Sequence, residues 1–234
     1  MTEPSAFDIL RGVSRPLPPS RLTPDLLLQA YAIGYFPMAE DRYAKDVFWV
    51  RPDLRGVLPI KSLHISKTLR RTVRRDAFEI RTDTAFRAVM EGCAMPQTER
   101  WQTWINGQIL SAYAELHEQG YAHSVEAWRD GQLVGGLYGV AIGGAFFGES
   151  MFSVVTDASK VALVHLTARL AAGGYVLHDT QFTTDHLRRF GVEEVAADDY
   201  ARRLSGALKV DGRFDALPAQ MAGSTILQSI TQTS

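Results

Sequence analysis

The run from His123 to Phe147 limits the possible folds of this chain more than any other segment. Ser124-Val125-Glu126-Ala127-Trp128 and Gln132-Leu133-Val134-Gly135-Gly136-Leu137-Tyr138 read as strands, and Asp130-Gly131 between them is a strong hairpin signal. A second turn at Gly143-Gly144 leads to Ala145-Phe146-Phe147. Asp157 opens a helix from Ala158 to Ala172, Gly173-Gly174 ends it, and Tyr175 to Asp179 is another strand. Short helices at Asp185 to Phe190 and Asp198 to Leu208 follow. A meander, a helix, a strand and more helices make a mixed, largely antiparallel sheet flanked by helices, not a doubly wound one.

Upstream, Thr23-Pro24-Asp25 marks a helix start: an N-cap threonine, proline at the first helical position and an acid in the first turn. That helix runs from Pro24 to Ala32, and Gly34 stops it. Short strands over Val47 to Val50 and Gly56 to Ile60 complete a small α+β unit spanning 1–62. A larger α+β unit occupies 63–209. It adds a basic helix at Ser66 to Arg75 and a short strand at Phe78 to Arg81. Helices at Asp83 to Cys93 and Thr103 to Gln119 follow, with a polar loop at Ala94 to Thr103 between them. Residues 210–234, polar and poor in aromatics, read as a poorly packed tail.

Composition excludes several classes. The 234 residues are 46% hydrophobic and 22% charged, as in an ordinary globular protein, and a net charge of -1 argues against a wholly basic nucleic-acid binder. A single cysteine, Cys93, rules out an internal disulfide framework and fits a reducing cytoplasm. No window holds 18 continuous apolar residues, and Met1 to Pro19 lacks a signal peptide's apolar core, so the chain reads as cytoplasmic. The histidines are scattered, with no metal-ligand spacing. Neither heptads nor an exposed apolar stripe point to an oligomer, so a monomer is expected.

Two short segments carry the chemistry: Gly148-Glu149-Ser150-Met151-Phe152-Ser153 and Asp179-Thr180-Gln181. Each follows a strand, and strand ends gathered at one sheet edge are where α/β proteins place their sites. An acid, an amide and a second acid there can handle a proton and orient a carbonyl, the work of acyl transfer to an amine. The order of elements suits the GCN5-related acyltransferase fold. A coenzyme A-dependent enzyme of that fold needs a glycine-rich loop whose amides cradle a pyrophosphate. Residues 148–160 carry instead one glycine, a glutamate and the bulky Met151 and Phe152. That combination suits an apolar side chain beside a cationic amine.

With these residues in view, the sequence resembles the leucyl/phenylalanyl-tRNA–protein transferase family over most of 23–204. The matching blocks, in order, are Leu26 to Tyr31 with Gly34-Tyr35-Phe36-Pro37, then Ser62 to Ser66, Glu91 to Ala94, Trp104-Ile105, Ala112-Tyr113 and His123 to Glu126. Leu133 to Val140, Gly148 to Ser153 and Ala158-Ser159-Lys160 are the most specific. The chain departs from the family's usual pattern at Met38, where tryptophan is common, and at Thr180, where cysteine is common. The resemblance implies transfer of leucine, phenylalanine or sometimes methionine from a charged tRNA to an N-terminal arginine or lysine of a protein, marking it for N-end rule degradation. It further implies a GCN5-related catalytic domain behind a smaller N-terminal one, with neither coenzyme A nor a metal.

The resemblance assigns roles residue by residue. Gln181 draws on the acceptor's α-amine and Asp179 polarises it or relays its proton; two apart on an extended segment, their side chains should face one way. The plain alternative is a helix-capping Asp179 and a merely buried Gln181. Glu149 binds the amino group of the aminoacyl ester or the acceptor's cationic side chain, or simply pairs with Lys160. Met151, Leu137, Leu163 and Leu166 line an apolar pocket or are ordinary core. Tyr31, Trp104 and Tyr113 are candidates to stack on the terminal adenosine. Lys61, Lys67, Arg70, Arg71, Arg74 and Arg75 form a basic stretch for acceptor-stem phosphates, or a solvated face. Competing readings are a coenzyme A-dependent N-acetyltransferase, a catalytically silent module binding tRNA or N-termini, and a sister transferase for acidic N-termini.

Overall fold

The computed structural model describes residues 21–95 and 103–232. The proline-rich start, Met1 to Pro19, and the core of the polar loop, 96–102, lie outside them.

Thr23 caps α1 (Pro24–Ala32) through a hydrogen bond from the Leu26 amide to its Oγ1 at 3.3 Å. The chain then forms β1 (Phe36–Met38), β2 (Phe48–Val50), β3 (Leu54–Val57), α2 (Lys67–Arg74), β4 (Glu79–Thr82), α3 (Phe86–Ala94) and α4 (Gly107–Glu118). The meander is β5 (Ala122–Arg129), β6 (Gln132–Ile142) and β7 (Ala145–Ser153). Asp130 and Gly131 sit at φ 53° and 73°, the left-handed pair a two-residue hairpin needs. Next come α5 (Ala158–Ala172), β8 (Leu177–Gln181), α6 (Asp185–Arg188), β9 (Glu193–Ala196), α7 (Ala197–Ala207) and α8 (Gly223–Gln232).

One seven-stranded sheet runs β4-β5-β6-β7-β8-β3-β9. Every neighbouring pair is antiparallel except β7 and β8, which α5 connects in parallel. The fold is thus α+β with a mixed, largely antiparallel sheet. One face packs on α1, α3, α4 and α7 through residues such as Leu27, Met90, Ile109 and Leu204. The other packs on α2, α5 and α8 through Leu69, Leu163, Leu166 and Ile226. Among the described residues no helix is long and apolar enough to cross a membrane.

The structure corrects three expectations and adds one strand. β3, from the stretch assigned to the small N-terminal unit, is the sixth strand of the large sheet, between β8 and β9. The strand β9 was not foreseen, because Glu193-Glu194-Val195-Ala196 has only one residue, Val195, that is buried. Trp104 does not start a helix: Asn106 Oδ1 accepts the Ile109 amide at 2.9 Å and caps α4 two residues later. The expected poorly packed tail is packed. Ile226, Leu227 and Ile230 of α8 are buried against α5 and α2. Arg169 on α5 donates to the carbonyls of Phe214, Leu217 and Pro218 at 3.0, 2.6 and 2.5 Å. The physical reason lies in α5, which buries 12 of its 15 residues and therefore needs cover on every side. Sparse apolar residues at helical spacing supply it within a polar segment.

Candidate active site

Two departures from regular strand geometry build the site. The first is a bulge in β7. Tyr138 pairs with Ser150 and Gly139 with Gly148, so Glu149 is an extra residue opposite no partner. A bulge reverses the alternation of faces beyond it. Phe146 and Met151, five apart, accordingly share the α5 side, whereas Phe147 and Phe152 share the other.

The second departure ends β8. β7 and β8 pair only from Ala145/Leu177 to Phe147/Asp179. Gly148 to Ser153, Thr180 and Gln181, beyond that point, line a cavity of about 570 Å³ together with His178 from the paired stretch. Gln181 sits at φ 62°, rare for a residue with a side chain. Its amide donates to Asp179 Oδ1 at 2.7 Å, which fixes that turn. Gln181 therefore faces the cavity and Asp179 does not. The expectation that both side chains face one way fails because the left-handed residue breaks the extended alternation.

Asp179 is fully buried, and its four lone-pair positions are taken. Oδ1 accepts from Arg55 Nε at 2.8 Å and the Gln181 amide; Oδ2 accepts from an Arg55 terminal nitrogen and the Tyr200 hydroxyl, both at 2.6 Å. The other Arg55 terminal nitrogen donates to the Gly34 carbonyl at 2.9 Å, and the guanidinium lies 4.7 Å from the rings of both Phe36 and Tyr200. The guanidinium is held above its ordinary range by Asp179 despite burial, while burial and Asp179 raise the Tyr200 phenol. A carboxylate so occupied offers no lone pair to an incoming amine.

Glu149 is placed differently. Its Oε1 accepts from the Tyr31 hydroxyl at 2.5 Å and from Gln181 Nε2 at 2.7 Å, and Tyr113 donates to Oε2 at 3.2 Å. The Tyr31 and Tyr113 hydroxyls also lie within hydrogen-bond reach of each other; two protons serve these three contacts, so a phenol that donates to its neighbour does not donate to Glu149 at the same time. One lone pair of Oε2 stays available. Burial pushes the Glu149 carboxyl up to about 7, against the opposing effect of these donors. Burial and Glu149 hold both phenols well above the ordinary tyrosine range, so they remain donors. Because Gln181 Nε2 is committed to Glu149, its Oε1 is the amide edge left to accept from a substrate.

Met151, Leu137, Leu163 and Leu166 all line the cavity with Glu149 and Gln181, as do Trp104, Met38 and Thr180. Tyr31 and Tyr113 do not: both are fully buried beneath Glu149, and no base can stack on a ring with no exposed face. Lys160 pairs with Asp157 at 2.7 Å, not with Glu149. Asp157, although in the N-cap position of α5, makes no side-chain cap; it sits at φ 70° and turns its carboxylate to that lysine. On α2, Leu69 and Val73 are buried, and Lys67, Arg71, Arg74 and Arg75 are exposed, with Arg70 half-buried and Lys61 exposed just ahead of the helix. The segment before α2 is tied to the turn that follows α6 by the His64 amide, which donates to the Phe190 carbonyl at 3.1 Å.

Sequence reasoning missed Arg55 and Tyr200. The only available signal was an arginine beside Gly56-Val57-Leu58, in a run otherwise fit for a buried strand.

Comparison with known proteins bears directly on this arrangement. The family model described as leucyl/phenylalanyl-tRNA protein transferase matches residues 57–205, and the model for that family's N-terminal domain matches 20–53. The chain belongs to the leucyl/phenylalanyl-tRNA–protein transferase family. A family relative from Nitrobacter winogradskyi is 55% identical over 95% of this chain and 100% of its own length. One from Paramagnetospirillum magneticum is 57% identical over 83% and 93% of the two chains, and one from Caulobacter vibrioides 55% identical over 91% and 98%. The two family models meet near β3, the strand carrying Arg55.

Proposed function

We propose that this enzyme moves leucine, phenylalanine or methionine from aminoacyl-tRNA to the N-terminal arginine or lysine of acceptor proteins. By that transfer it marks them for N-end rule degradation. The observation that carries the reading is one cavity with apolar walls whose rim brings together a carboxylate, Glu149, and an amide, Gln181.

Leu137, Met151, Leu163 and Leu166 take the aminoacyl side chain. Such a pocket separates side chains that differ by one methylene by only about 1–3 kcal/mol, so leucyl, phenylalanyl and methionyl groups are all admitted. Trp104 and Met38 flank the terminal adenosine. The free Oε2 lone pair of Glu149 accepts from the ammonium of the bound ester. Gln181 Oε1 accepts from the acceptor's α-amine and aims its lone pair at the ester carbonyl carbon. As the C–N bond forms, the bond to the ribose oxygen breaks, and the amine's proton leaves with that oxygen, through the neighbouring ribose hydroxyl. No amide has a useful basicity near neutral pH, so Gln181 orients and does not deprotonate. Asp179 acts through Gln181, as a positioning residue. The basic residues of α2 and Lys61 hold acceptor-stem phosphates without reading sequence.

The test is a transfer assay with purified protein, labelled leucyl-tRNA and peptides beginning with Arg, Lys, Asp or Ala. Label on the Arg and Lys peptides alone is the expected result. Label on the Asp peptide, or on none, overturns the reading.

A further inference from the structure

An aromatic side chain that the reaction above does not use stands on the loop between β1 and β2. Tyr43 is 83% exposed, more than any other large hydrophobic residue among those described. Its loop is nonetheless held on all sides. Asp41 Oδ1 accepts the amides of Tyr43 and Ala44 at 2.7 and 2.8 Å, which fixes the turn. Asn106, the cap of α4, donates from Nδ2 to the Ala44 carbonyl at 2.9 Å, and the Gln108 side chain donates to the Lys45 carbonyl. Arg42 donates to the Ala94 carbonyl, at the end of α3, at 2.8 Å. With the backbone beneath it already fixed, the ring costs a ligand little ordering. The loop also adjoins the cavity at two places. The Ala39 amide donates to the Trp104 carbonyl at 3.1 Å, and Met38 and Trp104 both line the cavity. Phe152, another cavity residue, lays its ring over Gly92 of α3, where an added Cβ would come within 2.8 Å of it. Ala94, which accepts from Arg42, and Met95, 59% exposed, lie two and three residues beyond Gly92.

We propose that Tyr43 is a stacking platform for the unpaired nucleotide that precedes the terminal adenosine of the donor tRNA. This rests on the reading that the cavity takes an aminoacyl-tRNA with its adenosine flanked by Trp104 and Met38. The 3′ end of a tRNA is single-stranded, so its bases are free to lie on an aromatic ring, and such stacking accepts any base. Phosphate binding does not explain the loop, because Glu40, Asp41 and Asp46 outnumber Arg42 and Lys45, and Arg42 is committed to Ala94. An acceptor peptide is the less suited occupant: its amine must reach Gln181, whereas the loop is tied to Trp104 and follows Met38 directly.

The experiment uses leucyl-tRNA in which the base before the terminal adenosine is either present or replaced by an abasic residue. It measures kcat/KM for transfer to an Arg-starting peptide by the native enzyme, Tyr43→Ala and Tyr43→Phe. Removing the base or the ring should each lower kcat/KM by about fivefold or more, and removing both should lower it no further. Tyr43→Phe, which keeps the aromatic face, should match the native enzyme on both donors. If Tyr43→Ala loses nothing on the intact donor, the proposal is overturned. It is overturned equally if Tyr43→Ala loses the same factor on the intact and the abasic donor, which assigns the ring to another partner such as the peptide. Absence of transfer by the native enzyme from the intact donor sinks the aminoacyltransferase reading as well; transfer that ignores Tyr43 sinks only the stacking platform.

Discussion

Separating the charge of Asp179 from its hydrogen bond tests whether the residue relays a proton or holds Gln181 in place. The pair with Arg55 is 0% and 1% exposed, so removing one partner strands the other. Arg55→Met alone should cost about 3–5 kcal/mol of stability, read from denaturant midpoints. Arg55→Met/Asp179→Leu removes both charges into an apolar setting and should recover most of that loss. Its activity should not recover. The Gln181 amide then loses its 2.7 Å acceptor while the residue still sits at φ 62°. A side-chain-bearing residue in that region costs about 1–2 kcal/mol, and a hydrogen bond to an ionised group contributes about 1.5–3 kcal/mol. If about 2 kcal/mol of support for the turned conformer is lost, its population, and with it kcat, falls about 30-fold. Arg55→Met/Asp179→Asn keeps an acceptor oxygen for that amide but carries no charge. It should retain kcat within about tenfold of native, on the same hydrogen-bond arithmetic. Single-turnover transfer from leucyl-tRNA under saturating peptide reads these values. If the Asn and Leu double variants are equally inactive, the negative charge itself is required and the positioning argument is wrong.

Other outcomes follow from the same contacts. With the Glu149 carboxyl raised to about 7 by burial, transfer should climb as pH rises through 7, and Tyr31→Phe, which removes a donor to the anion, should move that midpoint upward in a pH–rate profile. The folded-state shift is upward, so the stability Glu149 provides is complete below about 4.5 and is lost as pH rises through about 7. Glu149→Gln should therefore be more stable than native at pH 8, by about 3 kcal/mol, and equal near pH 4.5, while inactive at both; equal melting curves at pH 8 would contradict the burial argument. Ile226→Ala should cost about 2–4 kcal/mol in urea, whereas a loosely attached tail would lose under about 0.5. Reversing Arg70, Arg71 and Arg74 to Glu should weaken tRNA binding and reduce the salt slope by about 3, and unchanged affinity would dismiss the basic helix as a binding face.

What the sequence alone determined is local. Strand alternation, the Asp130-Gly131 turn and the N-cap at Thr23 are written in neighbouring residues, and the helix Ala158 to Ala172 was placed to the residue. The two segments that contribute Glu149 and Gln181 to the cavity were legible for the same reason: each is contiguous. Leu137, Met151, Leu163 and Leu166 line the same cavity because they sit on the elements that flank or contain those segments. What tertiary structure decided depends on residues far apart in the chain. Arg55 meets Asp179 across 124 positions, and Tyr31 meets Glu149 across 118. Nothing near Arg55 in sequence says that it will enter a sheet beside β8, and nothing near Tyr31 says that its hydroxyl will face a carboxylate instead of an adenine. The bulge at Glu149 and the left-handed Gln181 each shift a side chain to the other face of a strand. A regular two-residue period cannot foresee such a shift, because the long-range packing around it, and not local preference, supplies the free energy that holds it.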